Sequence, residues 1–294
     1  MASTGAVRPG ATSTLAAPGR RAVEGLSVVE LEVGSRCNRA CSYCPVALNP
    51  RPPVPARMSD EVFFATVDQL AEVSFAGRLS YHLYNEPLLR RDLPRLVAAV
   101  RGRLPAALQV LNTNGDLLDD AKHAELRDAG IDIFYVTRHS PGDYPDRPAQ
   151  VVQTWQDLTL TNRGGSLTHL PVATTAMRHT PCHAPSEMLI VTVTGDVLLC
   201  YEDADREHVM GNVLRTPLPE IWTSERFRAI RRRLERGDRS VDPMCARCSN
   251  VSHAEHDRSA IEDTVLQANG LTDRTGAVEI LKRRSEAVRR GGTT

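Results

Sequence analysis

The sequence has no net charge. Its 36 Lys and Arg residues offset 36 Asp and Glu residues, so it lacks the basic excess expected of a general polyanion binder, and no nucleic-acid partner is expected. No stretch approaches eighteen uninterrupted apolar residues, which argues against a transmembrane helix and predicts no membrane partner. Met1 to Val23 carries no apolar run after a basic start, so no secretory leader is expected and the location read from the sequence is cytoplasmic. There is no internal repeat. The cysteine count is odd, at seven, which argues against a disulfide framework and fits a compartment where thiols stay reduced. What remains is ordinary: 294 residues, 41% hydrophobic and 24% charged. That composition excludes a wholly disordered or collagen-like chain, and the length suits two domains or one barrel-sized domain.

The cysteines organise the chain. Cys37, Cys41 and Cys44 form Cys-x3-Cys-x2-Cys in one short loop. Cys182, x12, Gly195, x4 and Cys200 form a second group, completed after a gap by Cys245-Ala-Arg-Cys248. Three plus four accounts for all seven.

Strands and helices alternate in the first half. Ser27 to Val33 reads as a strand running into the first cysteine loop, and Ser59 caps a helix to about Glu72 with Val62, Phe63, Val67 and Leu70 on its apolar face. Strands follow at Leu79–Tyr84, Leu108–Asn112 and Ile131–Val136, with helices at Leu93–Val100 and Ala121–Ala129, the latter stopping at Gly130. This alternation predicts right-handed βαβ units and a parallel sheet, whose chemistry collects at the C-terminal ends of strands. The cysteine loop, Asn85-Glu86-Pro87, Thr113-Asn114 and Arg138-His139 all fall there. After about residue 165 the alternation is lost. Leu189–Val193 and Val197–Leu199 read as a β-hairpin, and Leu218 to about Leu234 as one helix, forming a small second domain between the late cysteines. The expected boundaries are a disordered tail at 1–23, domains at 24–170 and 171–257, and a polar C-terminal tail at 258–294.

Three thiolates from one loop can hold three irons of a [4Fe–4S] cluster, leaving the fourth iron open to a ligand. The alternative is a zinc site closed by His82 or His139. Four thiolates can close a metal centre, either a cluster or a structural zinc ribbon. A closed cluster has no vacant iron and is suited to passing electrons.

The run Cys37-Asn38-Arg39-Ala40-Cys41-Ser42-Tyr43-Cys44 resembles the signature of the radical S-adenosylmethionine (SAM) superfamily. That resemblance implies an α/β fold, a partial (β/α)6 TIM-type barrel. It implies that the open iron binds SAM, and that cleavage of SAM yields a 5′-deoxyadenosyl radical that abstracts hydrogen from substrate. It implies a cofactor-binding set of Tyr43, Asn85, Glu86, Thr113, Asn114 and Arg138, with Asn85 where relatives usually carry glycine, and an electron donor such as flavodoxin or ferredoxin. The late cysteines, with Met210-Gly211-Asn212-Val213 and Ile221-Trp222, resemble the twitch domain, a short SPASM domain of hairpin plus helix. There Cys182, Cys200, Cys245 and Cys248 hold an auxiliary [4Fe–4S] cluster.

Phe75-Ala76-Gly77-Arg78, Asn114-Gly115-Asp116, Asn162-Arg163-Gly164-Gly165 and Cys200-Tyr201-Glu202-Asp203 resemble the twitch-type dehydrogenases that oxidise 2-deoxy-scyllo-inosamine in aminoglycoside biosynthesis. By that resemblance the substrate is an aminocyclitol or aminoglycoside intermediate, with a spectinomycin-type pathway as one setting. Arg163 orients the oxidised hydroxyl and assists its deprotonation, and Glu202 binds a substrate amine or hydroxyl. The rivals are a radical epimerase or decarboxylase of a related sugar, and a zinc-stabilised binding protein without catalysis. Epimerisation needs a hydrogen donor, and with no cysteine left over it would need another, such as a tyrosine.

Overall fold

The structure is a computed structural model that describes residues 23–48, 54–142 and 144–255. Of the expected N-terminal tail only Val23 is among them, and it is buried; the expected C-terminal tail lies outside the described residues. One open eight-stranded sheet carries the molecule. Its strands are β1 (Val28–Leu31), β2 (Arg78–Ser80), β3 (Leu108–Thr113), β4 (Ile133–Arg138), β5 (Gln150–Thr154), β6 (Met188–Val191), β7 (Asp196–Leu198) and β8 (Val209–Asn212), in the order β5-β4-β3-β2-β1-β6-β7-β8.

The helices of the first half form where local chemistry favours them. In α1 (Asp60–Glu72) the Ser59 hydroxyl accepts from the Val62 amide at 3.2 Å, Asp60 and Glu61 sit in the first turn, and Val62, Phe63, Val67 and Leu70 are buried. Helix α2 spans Leu93–Arg103. In α3 (Asp120–Ala129) Asp119 caps the start, and Gly130 ends it at φ 125°, a left-handed angle that disfavours any residue with a Cβ. These helices cover the outer face of the sheet. On β1, Val29 and Leu31 are fully buried in the core, whereas Val28 and Glu30 alternate onto the inner face and line a cleft.

Six strands are parallel, as expected of the partial barrel. Five run in sequence order from β1 to β5, but the sixth, β6, comes from the late region and pairs with the other edge of β1, Glu30 standing opposite Ile190. The expected hairpin therefore exists as β6–β7 but does not form a separate sheet. Its apolar strand finishes the hydrogen-bonding edge that β1 would otherwise leave open. The single helix expected over 218–234 is two, α4 (Leu218–Thr223) and α5 (Glu225–Leu234). Ser224 stands extended between them and its hydroxyl caps α5 through the Phe227 amide. Ile221, Trp222, Phe227 and Ile230 are buried as expected. A short helix α6 (Pro243–Arg247) carries Cys245 and is capped by Asp242.

One buried ion pair ties the two halves. Glu32, with no exposed surface, accepts from Arg206 Nη2 at 2.9 and 2.6 Å and from the Val193 amide at 3.0 Å. Removing one partner of a buried pair strands the other charge. Arg206→Ala should therefore destabilise the protein by about 3 kcal/mol in urea unfolding, and adding Glu32→Gln should restore part of the loss.

Candidate active site

All seven cysteines are free thiols. The first three leave the end of β1 in a braced loop. Arg39 grips Asp116, in the loop after β3, through Nε at 2.7 Å and Nη2 at 2.5 Å, and Asn38 Nδ2 donates to the same carboxylate at 2.9 Å. Asn114 Nδ2 donates to Asn38 Oδ1 at 2.8 Å and reaches Cys37 Sγ at 3.8 Å. Cys37, Cys41 and Cys44 together form one wall of a cleft of about 510 Å³. Burial pushes the Cys37 and Cys44 thiols up from their ordinary values, so bare thiolates are disfavoured there. A cationic iron–sulfur centre supplies the charge that would stabilise them.

The rim residues gather on the same cleft. Tyr43 stacks on Trp155, centroids 5.5 Å apart, and its hydroxyl contacts His139 Nδ1. Glu86 is buried; it accepts from Thr113 Oγ1 and the Asn114 amide, each at 2.8 Å, and caps the turn Pro87–Leu89 through the Leu88 amide at 3.0 Å. It is thus both a loop cap and a cleft-lining carboxylate, held up from its usual range chiefly by burial. Asn85 accepts from the Leu83 amide at 2.9 Å and leaves Nδ2 buried without a partner on the cleft wall. Arg138 is not brought to the cleft. Strand alternation on β4 turns Thr137 inward and Arg138 away, where its guanidinium lies 4.9 Å from the Tyr144 ring centroid.

The four late cysteines line a second, small cavity together with Leu234, Arg239 and Glu202. Burial raises all four thiols, Cys248 up to about 12. Arg239, 1% exposed, is held beside them by the carbonyls of Thr180 and Asn250 at 2.8 and 2.7 Å. Four thiols around one shared space, those of Cys200, Cys245 and Cys248 buried and that of Cys182 partly buried, are the donor set of an iron–sulfur cluster with four protein ligands.

Arg163 joins the two compartments. It lines the cleft, and its Nη1 meets Glu202 at 3.3 Å. Its backbone is left-handed (φ 48°), followed by Gly164 at φ 61°, where a Cβ would come within 2.3 Å of Met244 Cγ on α6. Close packing of this stretch on α6 therefore requires glycine there. Burial opposes the Arg163 charge, but Tyr84 and Glu202 more than offset it, so the guanidinium stays protonated. It can stabilise an alkoxide and cannot act as a base. Glu202, expected to touch substrate, is 2% exposed and absent from the cleft lining. Both its oxygens accept from Thr161 Oγ1 at 2.9 Å, and one also accepts from Asn250 Nδ2 at 2.9 Å. In the connection after Cys200 it is Tyr201 that faces the cleft, and Glu202 that turns to the cysteine cavity.

Glu30 and Asn112 line the floor of the cleft and were not among the residues expected there; Arg78, expected only as part of a motif, and His82, weighed only as a zinc ligand, line it beside them. The available signal was a charged or polar residue at alternate strand positions. Burial pushes Glu30 up to about 7 against the pull of Arg78 and Arg163. Burial and the same two arginines push His82 down to about 3, leaving it neutral, with Nδ1 at 3.2 Å from Asn112 Nδ2.

Comparison with known proteins fits this geometry. A family profile described as the radical SAM superfamily matches residues 31–159, and one described as an iron–sulfur cluster-binding domain, SPASM, matches 182–249. The S-adenosyl-L-methionine-dependent 2-deoxy-scyllo-inosamine dehydrogenase of Niallia circulans is 35% identical over 237 residues, 77% of this chain and 94% of that protein. The chain belongs to the radical SAM superfamily. The crystal structure of BtrN in complex with AdoMet and 2-DOIA superposes with a TM-score of 0.73 at 33% identity, covering 79% of this chain and 96% of that one. A GTP 3′,8-cyclase of Synechococcus is 35% identical over 133 residues, only 35% of its own length. The native structure of anSMEcpe with bound AdoMet, at 11% identity and a TM-score of 0.52, shares the fold alone.

Membership in the radical SAM superfamily implies SAM and a [4Fe–4S] cluster, and the SPASM match implies an auxiliary iron–sulfur cluster. The zinc-stabilised, non-catalytic reading gives way to it. No described helix is long and apolar enough to cross a membrane. Anaerobic reconstitution should load about eight irons per chain, and changing Cys37, Cys41 and Cys44 together to Ala should leave about four by iron assay. A second outcome concerns pH. Glu30 has the ordinary glutamate value of 4.5 when unfolded, and burial pushes it up to about 7 when folded. The folded protein thus holds an extra proton between these values, and above 7 it bears the full cost of burying the charge. Its stability contribution falls as pH rises through that window. Glu30→Gln should stabilise the protein by up to about 3 kcal/mol at pH 8 and by little at pH 4, as read from unfolding midpoints.

Proposed function

We propose that this radical SAM enzyme oxidises a secondary alcohol of an aminocyclitol or aminoglycoside intermediate to a ketone. In this reading residues 24–170, completed by β6 from the late region, form the catalytic partial barrel, and the remaining late residues up to 255 carry the auxiliary cluster. When bound, SAM and the first cluster supply hydrogen-abstraction chemistry, and the second cluster, with four protein ligands, an electron sink. Cys37, Cys41 and Cys44 would hold the first, and Cys182, Cys200, Cys245 and Cys248 the second. Flavodoxin or ferredoxin is the proposed external reductant.

The chain's own residues divide the remaining work. Tyr43, Asn85, Glu86, Thr113 and Asn114 would position SAM on the rim. Buried Glu86 keeps lone pairs for a cationic donor, and Asn85 Nδ2 offers an unused hydrogen bond. Arg163 would orient the reacting hydroxyl and stabilise its oxygen as the proton leaves. Glu202 then acts through Arg163 as a positioning residue, anchoring the guanidinium beside the second cysteine cavity. The observation that carries the reading is this one side chain: it faces the cleft and is tethered to a carboxylate that lines the auxiliary site. The similarity to a dehydrogenase of an aminocyclitol over 94% of that protein's length supports the substrate class. The epimerase alternative has weaker support. Both cysteine sets are committed, and the Tyr84 hydroxyl is already engaged as donor to the Tyr201 carbonyl.

Anaerobic incubation with SAM, a reductant and 2-deoxy-scyllo-inosamine should give a product lighter by two hydrogens. An isomer of the substrate would overturn the assignment. Cys245→Ala should retain some SAM cleavage while ketone formation is lost, measured as methionine released against product formed.

A further inference from the structure

One carboxylate of the cleft has no part in the reading above. Glu30 lies in the middle of β1, is 8% exposed and contributes to the cleft lining. In register it stands opposite Ser80 on β2 and Ile190 on β6. Neither neutralises it, and among the described residues its carboxylate forms no hydrogen bond or ion pair. Glu32, two positions on, is saturated by Arg206 and the Val193 amide. The arginines nearest Glu30 in charge, Arg78 and Arg163, act on it only at a distance, and each has a buried Nε with no partner. The cleft floor thus carries one acceptor and two donors that leave each other unsatisfied.

A buried carboxylate without a partner is costly. A neutral ring of hydroxyls would not repay that cost, because hydroxyls recover little of the energy of a desolvated charge. An ammonium would, since charge-assisted hydrogen bonds are the strong ones in a dry site. Glu202, the acid that sequence comparison offered for this task, is fully engaged elsewhere. Resting on the aminocyclitol reading above, we propose that Glu30 receives the ammonium group of the substrate while Arg78 and Arg163 donate to its ring oxygens, so that the cleft selects a cyclic amino alcohol over the neutral polyol of the same shape. His82, neutral beside them, adds no competing cation.

The test is a comparison of two ligands on the reconstituted holoenzyme with SAM bound. Calorimetry would measure Kd for 2-deoxy-scyllo-inosamine and for its analogue with a hydroxyl in place of the amine. The wild type should prefer the amine by about 10- to 100-fold. Glu30→Gln should bring the two affinities within about threefold of each other by weakening the amine alone, and Glu30→Asp, which keeps the charge, should retain part of the preference. In turnover, Glu30→Gln should raise KM for the amine with kcat largely kept. Equal affinities in the wild type, an unchanged preference in Glu30→Gln, or a kcat loss shared by both ligands would overturn the assignment. Binding of both ligands alike defeats the ammonium site and leaves the aminocyclitol reading standing, whereas binding of neither defeats that reading itself.

Discussion

The parallel pairing of β6 with β1 is the constraint on which the rest depends. The first cysteine loop leaves the C-terminal end of β1, while Cys182 and Cys200 flank the hairpin that begins with β6. Hydrogen bonds between these two strands therefore seat both cysteine sets on one sheet. The buried Glu32–Arg206 pair and the packing of Asn162–Gly165 against the Cys245–Ser249 segment hold the same junction. A flexible linker between two independent domains would leave the spacing of the two thiol cavities to chance. A continuous sheet sets it.

The site is built from groups that folding alone would avoid. Six thiols, those of Cys37, Cys44, Cys182, Cys200, Cys245 and Cys248, sit where burial disfavours their charged forms, a carboxylate sits unpaired on β1, and Asn85, Arg78 and Arg163 carry buried nitrogens without partners. Each is a cost to the unliganded protein that a cluster, a cofactor or a substrate can remove. The same logic separates Glu30 from Glu202. One carboxylate is saturated and serves to position Arg163, and the other is left for a ligand. Arg163, kept cationic by its neighbours, is suited to stabilising oxygen charge and not to taking a proton.

Much of the barrel was legible because its signals are local. Ser59 marks a helix start by offering an acceptor to a free amide, and Gly130 marks an end by tolerating a left-handed backbone. The limits of legibility are equally physical. Ser224 interrupts what the apolar pattern presents as one helix, because a serine can cap as readily as it can continue a turn. Arg138 sits at the expected strand end but on the wrong face, since alternation gives Thr137 the inward position. Glu30 read as part of an alternating strand, and nothing local says that its inner face opens on a cleft rather than on a packed core.

Sequence alone was sufficient for the two thiol sets and the βα alternation that places loops on one rim, because spacing along the chain carries both, and for the likeness to a radical SAM dehydrogenase, which rests on the resemblance of short motifs. The tertiary structure decided what each charge faces. It joined the late hairpin to the first strand, turned Glu202 to the auxiliary cavity and left Glu30 open to the cleft. Those outcomes rest on contacts between segments as far apart as Glu32 and Val193, separated by 161 positions. No local propensity encodes such a pairing; it is settled only when the whole sheet closes its hydrogen bonds.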